Sequence, residues 1–205
     1  MKRIFVTGIS TEVGKTMASA IIVEALESDY WKPIQAGDLE YSDSDKIREL
    51  ISNKRTVIHK NSYALSSPMS PHAAADIDGI QIRKDWISEP QTENHLVIEG
   101  AGGILVPINA SETILDLIKP EYKVIVVSRH YLGSINHSLL TIETLKARGL
   151  EVSVIFSGEE HPTTEKIILS KTGVTFIGRI SEEEKFDKKV VQKYASEFRD
   201  RLRSI

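Results

Sequence analysis

The sequence predicts an α/β fold in three layers, with a mainly parallel central sheet flanked by helices. Two observations carry this prediction. Short β-branched runs alternate with longer stretches of helical period, which is the pattern of parallel strands joined by crossover helices. Most strand runs are continuously apolar, as strands buried on both faces should be. The 205 residues show no repeat and no break in composition, so we expect a single domain over residues 1–205.

The individual elements follow from the same patterns. An apolar run at residues 3–7 predicts the first strand, and residues 15–26 place Ala18, Ile21, Ile22 and Ala25 on one helix face. Further strands are predicted at residues 30–34, 95–99, 123–127, 151–156 and 175–177. Further helices are predicted at residues 45–52, 113–118, 135–147, 163–170 and 188–203. Residues 55–90 form the least regular stretch.

Composition excludes several classes of function. The net charge of −3 and the dispersed Lys and Arg residues argue against nucleic acid as a partner. The chain has no cysteine, which excludes disulfides, thiolate metal sites and a cysteine nucleophile. No apolar run has the length of a signal peptide core or a membrane span, so we expect a cytoplasmic protein without membrane contact.

The strongest motif lies between the first strand and the first helix and reads Gly8-Ile9-Ser10-Thr11-Glu12-Val13-Gly14-Lys15-Thr16. Glycines let backbone amides turn toward phosphate oxygens, and the helix N-terminus adds partial positive charge. Lys15 can reach the terminal phosphates, and Thr16 can offer its hydroxyl to Mg²⁺. The motif predicts a site for a nucleoside triphosphate with Mg²⁺; the alternative is an ordinary strand-to-helix turn.

Two other strands end in polar residues at the same predicted edge of the sheet. Glu99 closes one buried strand and is followed by Gly100-Ala101-Gly102-Gly103, while Lys32 closes another. Ligands of open parallel sheets gather beyond the carboxyl ends of the strands, so Glu99 is a candidate metal ligand and Lys32 a candidate second cation. Downstream, Asp43 and Asp45 precede a helix, where either could bind metal or cap the helix.

Read together, these residues resemble the dethiobiotin synthetase family of P-loop enzymes. The resemblance spans nearly the whole chain. It rests on the loop with five residues between Gly8 and Gly14, on Lys32-Pro33, on residues 70–74 (Ser-Pro-His-Ala-Ala), on residues 99–103 and on residues 132–141. The related partition ATPases carry an extra lysine near the start of the loop, where this chain has Ile9. A regulatory or partition-type ATPase is the alternative function.

The resemblance implies a ligase that uses ATP to convert 7,8-diaminopelargonate and CO₂ into dethiobiotin, ADP and phosphate, with Mg²⁺ as cofactor. It also implies a homodimer with the substrate at the subunit interface. The implied catalytic residues are Lys15, Lys32, Thr11 and Glu12. The implied nucleotide contacts are Glu12, Val13, Gly14, Lys15, Thr16, Met17, Glu99, Gly100, Ala101, Gly102, Ser157 and Gly158. The implied substrate contacts are Thr11, Lys32, Ala36, Gly133, Ser134 and Asn136. The implied metal ligands are Thr16, Glu99 and either Asp43 or Asp45, with Asp43 favoured because Ile47 continues its helix face.

Three positions depart from the family pattern. Many relatives carry an asparagine that reads adenine where this chain has Ser157-Gly158, and a proline where it has Ser181. Some carry a serine where it has Ala36. The selectivity for the nucleotide base is therefore open at this stage. His137 is expected to cap a helix or pack in the core rather than to catalyse.

Overall fold

The computed structural model describes residues 1–205, which form nine strands and six α-helices. In chain order the elements are β1 (Arg3–Gly8), α1 (Lys15–Leu26), β2 (Asp29–Trp31), β3 (Ile34–Ala36), α2 (Asp43–Leu50), β4 (Ile58–His59), β5 (Tyr63–Leu65), α3 (Pro71–Ile77), β6 (Leu96–Gly103), β7 (Lys123–Arg129), α4 (Ser134–Ala147), β8 (Glu151–Ser157), α5 (Pro162–Thr172), β9 (Thr175–Ile180) and α6 (Lys188–Ser204). Two short 3₁₀ helices cover Lys84–Trp86 and Ile114–Leu117.

Seven strands form one parallel sheet in the order β4-β2-β6-β1-β7-β8-β9. From the central strand β1, the chain passes through α1 to β2, on one side of the sheet. Later it passes from β7 through α4 to β8 and through α5 to β9, on the other side of β1. Because crossovers between parallel strands are right-handed, this reversal places α1 and the pair α4 and α5 on opposite faces. Helices α2 and α6 pack against α1, and α4 packs against α5. The three predicted layers are therefore confirmed.

The central strands are apolar because both of their faces are covered. Phe5 in β1, Ile98 in β6 and Ile125 in β7 are at most 1% exposed. They belong to one cluster of 48 buried hydrophobic residues that holds the sheet between its helices. Burial of the apolar surface of this cluster is the main contribution to the stability of the fold. It also fixes the carboxyl ends of β1, β2 and β6 side by side.

Two predicted elements are wrong in the structure. The strand predicted at residues 30–34 breaks after Trp31, because Pro33 has no amide hydrogen to donate to a sheet. The chain then resumes as β3, which pairs with β5 in a separate two-stranded parallel sheet. The helix predicted at residues 113–118 is a four-residue 3₁₀ turn. None of the helices combines the length and the apolar character needed to cross a membrane.

Candidate active site

The loop between β1 and α1 presents free backbone amides. Gly14 caps α1 with a φ of 90°, a left-handed conformation that glycine adopts without strain. The loop also packs tightly at Gly8, where a Cβ would lie 2.6 Å from Val13 Cγ2 and 2.7 Å from the Ser10 carbonyl oxygen. The amides of Gly14, Lys15 and Thr16 donate to no group of the chain. These amides and the helix dipole together favour a bound anion.

Lys15 crosses the mouth of this loop. Its Nζ donates to the Ser10 carbonyl at 3.0 Å, and only 8% of the residue is exposed. Burial lowers the pKa of Lys15 to about 8, with Lys32 adding repulsion and Glu99 partly opposing it. At neutral pH the ammonium form still predominates. An anion in the loop would further favour that charged form.

Lys32 lies between two carboxylates from different elements. Its Nζ is 2.6 Å from Asp43 Oδ2 at the start of α2 and 2.9 Å from Glu99 Oε1 in β6. Burial works to lower the pKa of Lys32, but the charges of Glu99 and Asp43 outweigh it and raise that pKa. The same attraction outweighs the burial of Asp43 and lowers its pKa to about 2. Lys32 and Asp43 therefore both keep their charges at neutral pH.

Thr16 completes this cluster from the first turn of α1. Its Oγ1 lies 3.1 Å from Asp43 Oδ1 and 2.9 Å from Glu99 Oε1. On the far side of Glu99, Tyr30 donates its hydroxyl hydrogen to Oε2 at 2.9 Å. Burial, followed by the charge of Glu99, raises the pKa of Tyr30 well above its ordinary value, so the phenol stays a donor. Tyr30 was not predicted, because a tyrosine in an apolar strand looks like a core residue.

The oxygen atoms of Thr16, Asp43 and Glu99 suit a Mg²⁺ ion that also binds substrate phosphates. No group of three or more His, Asp or Glu side chains in the chain could hold a metal by itself. The cluster instead offers the Thr16 hydroxyl and the carboxylates of Asp43 and Glu99. Mg²⁺ is usually held by one or two carboxylates together with waters and substrate phosphates, rather than by a cage of protein ligands. These three residues match that pattern next to the free amides of the loop.

A cavity of about 660 Å³ opens above the loop and the cluster. Twelve of the predicted site residues line it: Thr11, Glu12, Gly14, Lys15, Thr16, Met17, Lys32, Ala36, Asp43, Glu99, Ala101 and Gly102. The structure adds eight lining residues that no motif had singled out as contacts: Gln35, Asp38, Lys46, Pro68, Met69, Ser70, Pro71 and Val106. Of these, Ser70 and Pro71 belong to a segment already quoted for the family resemblance.

Asp45 does not join the cluster, which corrects its inclusion among the metal ligands. Its carboxylate accepts from the Ser42 amide at 3.0 Å and the Ser42 hydroxyl at 2.6 Å, forming the capping box of α2. Its other oxygen pairs with Arg48 at 2.5 Å. Helix capping therefore uses Asp45, while Asp43, two residues earlier, faces Thr16 and Lys32.

Four other predicted nucleotide contacts lie behind the cavity wall. Val13 is buried in the loop, and Gly100 packs under Phe5, where a Cβ would meet the ring at 3.0 Å. Ser157, at the end of β8, donates its hydroxyl hydrogen to the Val13 carbonyl at 2.7 Å. The amide of Gly158 donates to the Ile180 carbonyl at 2.9 Å. None of these four lines the cavity.

The predicted substrate contacts at the start of α4 do not line this cavity either. Gly133 caps α4 with a φ of 100°, and the Ser134 amide already donates to the Tyr131 carbonyl at 2.9 Å. The amides of Ile135 and Asn136 donate to no group of the chain. His137 is neither a cap nor a core residue, since its Nδ1 meets the Tyr131 hydroxyl at 2.8 Å on the surface.

Comparison with known proteins identifies the family. A family profile described as an AAA domain matches residues 2–190. A relative from Christiangramia forsetii, named ATP-dependent dethiobiotin synthetase BioD, is 61% identical over 100% of this chain and 99% of its own length. A relative of the same name from Cytophaga hutchinsonii is 48% identical, covering 95% of this chain and 96% of its own. The chain belongs to the ATP-dependent dethiobiotin synthetase family.

Membership of the dethiobiotin synthetase family makes the chain an ATP-dependent ligase, as the family resemblance of its sequence implied. Solved structures add the fold only. A plasmid partition protein from Borrelia burgdorferi, bound to AMPPNP, aligns with a TM-score of 0.61 at 16% identity, covering 100% of this chain and 99% of its own. The MinC:MinD cell division complex of Aquifex aeolicus gives 0.57 at 17%, covering 100% and 96%. The partition ATPases are thus relatives in fold, whereas the dethiobiotin synthetases are relatives in sequence over the whole length.

Proposed function

We propose that the cavity above the loop converts 7,8-diaminopelargonate, CO₂ and ATP into dethiobiotin, ADP and phosphate. One observation carries this proposal: two buried lysines, Lys15 and Lys32, converge with Thr16, Asp43 and Glu99 beside free backbone amides. Phosphoryl transfer needs charge neutralisation and positioning more than a side-chain nucleophile. The cluster supplies both, within a chain that we treat as one domain over residues 1–205.

The triphosphate of ATP would lie across the loop. The amides of Gly14, Lys15 and Thr16 would donate to phosphate oxygens, and Lys15 would exchange its bond to the Ser10 carbonyl for one to the terminal phosphates. Met17, Ala101 and Gly102 line the same space and would exclude water around the nucleotide. Thr16, Asp43 and Glu99 would hold Mg²⁺, which would neutralise charge on the phosphates when bound.

The proposed reaction proceeds in three steps. One substrate amine attacks CO₂, loses a proton and becomes a carbamate. A carbamate oxygen then attacks the γ-phosphorus, and the bond to the β-bridging oxygen breaks to release ADP. The second amine attacks the carbamoyl carbon and loses a proton, the bond from that carbon to the phosphate oxygen breaks, and phosphate leaves as the ring closes to a cyclic urea. Lys32 would neutralise the carbamate and the transferring phosphoryl group, with Thr11 and Glu12 lining the reaction centre as the family resemblance implies.

A homodimer would complete the substrate site. A second groove, lined among others by Leu105, His137 and Leu140, adjoins the main cavity, since Thr11 and Val106 line both. Leu105 and Leu140 are 64% and 60% exposed, and Leu132 is fully exposed. Exposed apolar surface of this kind is typical of an interface between protein chains. A partner seated on it could bring its own α4 to the cavity.

The N-terminus of α4 suits the carboxylate of the diamine substrate. The free amides of Ile135 and Asn136, together with the helix dipole, favour an anion, and Gly133 and Ser134 shape the turn before them. Because none of these residues lines the cavity of their own chain, we infer that they act across the dimer.

We also propose that the protein acts in the cytoplasm, because an ATP-consuming ligase depends on the nucleotide pool there.

Phosphate release tests the proposal most directly. The purified chain is assayed with ATP and Mg²⁺, with and without 7,8-diaminopelargonate and bicarbonate, and the product is identified by mass. We expect release only when diamine and bicarbonate are both present, with one dethiobiotin formed per phosphate. A switch-type ATPase would hydrolyse ATP at a rate that ignores the diamine, and that result would overturn the proposal. Lys15→Gln serves as the inactive control, with a loss on the order of a thousandfold or more.

A further inference from the structure

Ser157 bonds to the phosphate loop from a distant strand. It ends β8, two strands away from β1 in the sheet, and only 4% of it is exposed. Its hydroxyl donates to the Val13 carbonyl at 2.7 Å, and this carbonyl accepts from no other group. A Cβ on Gly14 would lie 3.8 Å from the Ser157 Oγ, so the serine also packs against that glycine.

The geometry of the peptide bond turns this contact into a constraint on the loop. The carbonyl of Val13 and the amide of Gly14 belong to one planar trans peptide, so they point in opposite directions. When Ser157 holds the carbonyl on the β8 side, the Gly14 amide must face away from β8, toward the mouth of the loop. Like the amides of Lys15 and Thr16, this amide donates to no group of the chain.

We propose that Ser157 is a positioning residue for the triphosphate rather than a reader of the nucleotide base. It acts through the Val13–Gly14 peptide, fixing the direction of the Gly14 amide before the nucleotide arrives. A donor that is already oriented loses less conformational entropy on binding, so the constraint raises affinity for any ligand with the same phosphates. This inference rests on the nucleotide binding in the proposed function, but not on the identity of the second substrate.

The test measures binding in the absence of diamine and bicarbonate. Isothermal titration compares ATP, GTP, CTP and inorganic tripolyphosphate on the wild type and on Ser157→Ala. Loss of the hydroxyl should weaken all four ligands by a common factor of about three to ten, the scale of one net hydrogen bond. In turnover the KM for ATP should rise by that factor with kcat unchanged, the signature of lost uniform binding.

Three further variants separate positioning from stability. Ser128→Ala removes another buried serine hydroxyl, which lies 2.8 Å from Ser138 Oγ and forms no hydrogen bond with the loop, so its affinities should stay at the wild-type values. Ser157→Thr keeps the hydroxyl and should restore most of the affinity lost in Ser157→Ala. If Ser157→Ala does not fold, Ser157→Cys, with its weak thiol donor, should give a smaller but equally uniform loss.

The ligand pattern decides the outcome. If Ser157→Ala loses affinity for only one of the three nucleotides and keeps its affinity for tripolyphosphate, the proposal is overturned and Ser157 is a base-reading residue. Unchanged affinity for all four ligands would overturn it as well. If tripolyphosphate binding weakens as expected while the wild type releases phosphate without diamine, the positioning role stands and the proposed ligase reaction fails.

Discussion

Lys32 is a buried cation whose two carboxylate partners are also the proposed ligands of Mg²⁺. We expect Lys32→Gln to lower kcat by about a hundred- to a thousandfold, because charge that develops on the transferring phosphoryl group loses a preorganised partner. The dissociation constant of ATP should change much less, since the free amides and Lys15 remain. Steady-state kinetics and direct titration of ATP measure the two effects separately.

Lys46→Gln is the matched control for Lys32. Lys46 Nζ also contacts Asp43, at 3.2 Å, and lines the cavity, but its side chain is 28% exposed, against 6% for Lys32. Charges that are better solvated contribute less, so the loss of kcat should stay below about tenfold. A defect in Lys32→Gln that is confined to ATP affinity would remove Lys32 from the catalytic role.

Tyr30 positions Glu99, and removing its hydroxyl should show in the metal requirement. In Tyr30→Phe, Glu99 Oε2 loses its donor and the carboxylate is free to turn away from Thr16. We expect the Mg²⁺ concentration for half-maximal rate to rise severalfold, with the free energy of unfolding lowered by about 1–3 kcal/mol. Titration of Mg²⁺ at saturating ATP and urea unfolding give these two values.

Tyr122→Phe provides the control for Tyr30. It removes a similar bond, from the Tyr122 hydroxyl to Glu89 Oε2 at 2.6 Å, just before β7 and outside the cavity. This variant should lose stability in the same range while its Mg²⁺ requirement stays at the wild-type value. Equal Mg²⁺ requirements for the two phenylalanine variants would show that Tyr30 is structural only.

Asp29 makes the attachment of strand β2 to its neighbouring segments depend on pH. Burial of this residue in β2 would raise its pKa, but Thr92, the Val57 amide, Asn94 and His59 outweigh it and hold the pKa below the ordinary value of 3.8. The carboxylate thereby ties the start of β2 to the segments on either side. Because the folded pKa is the lower one, this stability is present above pH 3.8 and lost as pH falls through the folded value.

The Asp29→Asn variant tests this pH dependence of stability. At about pH 5 it should lose about 1–3 kcal/mol of unfolding free energy, since the amide cannot accept the bonds that reach both carboxylate oxygens. The difference from wild type should then shrink as the pH falls below 3.8 and through the lower pKa of folded Asp29, where the wild-type carboxylate becomes protonated. Urea unfolding at each pH measures it, and a difference that stays constant across the range would contradict the assignment.

Elements with a strong local pattern were predictable from the sequence, and those that depend on distant contacts were not. The helix predicted at residues 15–26 is confirmed, because the helical period of its apolar residues is a local property of the sequence. Pro33 was visible in the sequence, yet the sequence could not show that Ile34 begins a strand paired with β5, since that pairing depends on where residues 63–65 fold. The same reason hid six of the eight additional cavity residues, whereas Ser70 and Pro71 lie in the segment quoted for the family resemblance.

At the scale of the whole molecule, the edge of the sheet was predictable but the order of its strands was not. All parallel strands end at one edge, so the sequence could bring Glu99 and Lys32 to the phosphate loop. That β6 lies next to β1, and β8 two strands away on the other side, follows only from packing. The bond from Ser157 to Val13 depends on that order, as does the bond from Tyr30 to Glu99, and neither could be predicted from the sequence.

The proposed homodimer, in which each active site is shared between two subunits, gives a prediction for the whole assembly. Asn136→Asp places a negative charge where the substrate carboxylate is proposed to bind, without harming α4, because an acidic residue in the first turn suits the helix dipole. It should raise the KM for the diamine at least about tenfold. Asn136→Ala, which adds no charge, should change this KM much less.

Coexpression of Asn136→Asp with Lys15→Gln then tests whether the site is built from two chains. In a mixed dimer one site combines both defects, while the other pairs an intact Lys15 from one subunit with an intact Asn136 from its partner. Random pairing makes about half of the dimers mixed, so about a quarter of all sites should be intact. At low diamine concentration the mixture should therefore regain about a quarter of wild-type activity, while each parent stays near background. If each chain carried a complete site of its own, the mixture would show only the mean of the two parents, and α4 would have to act within its own subunit.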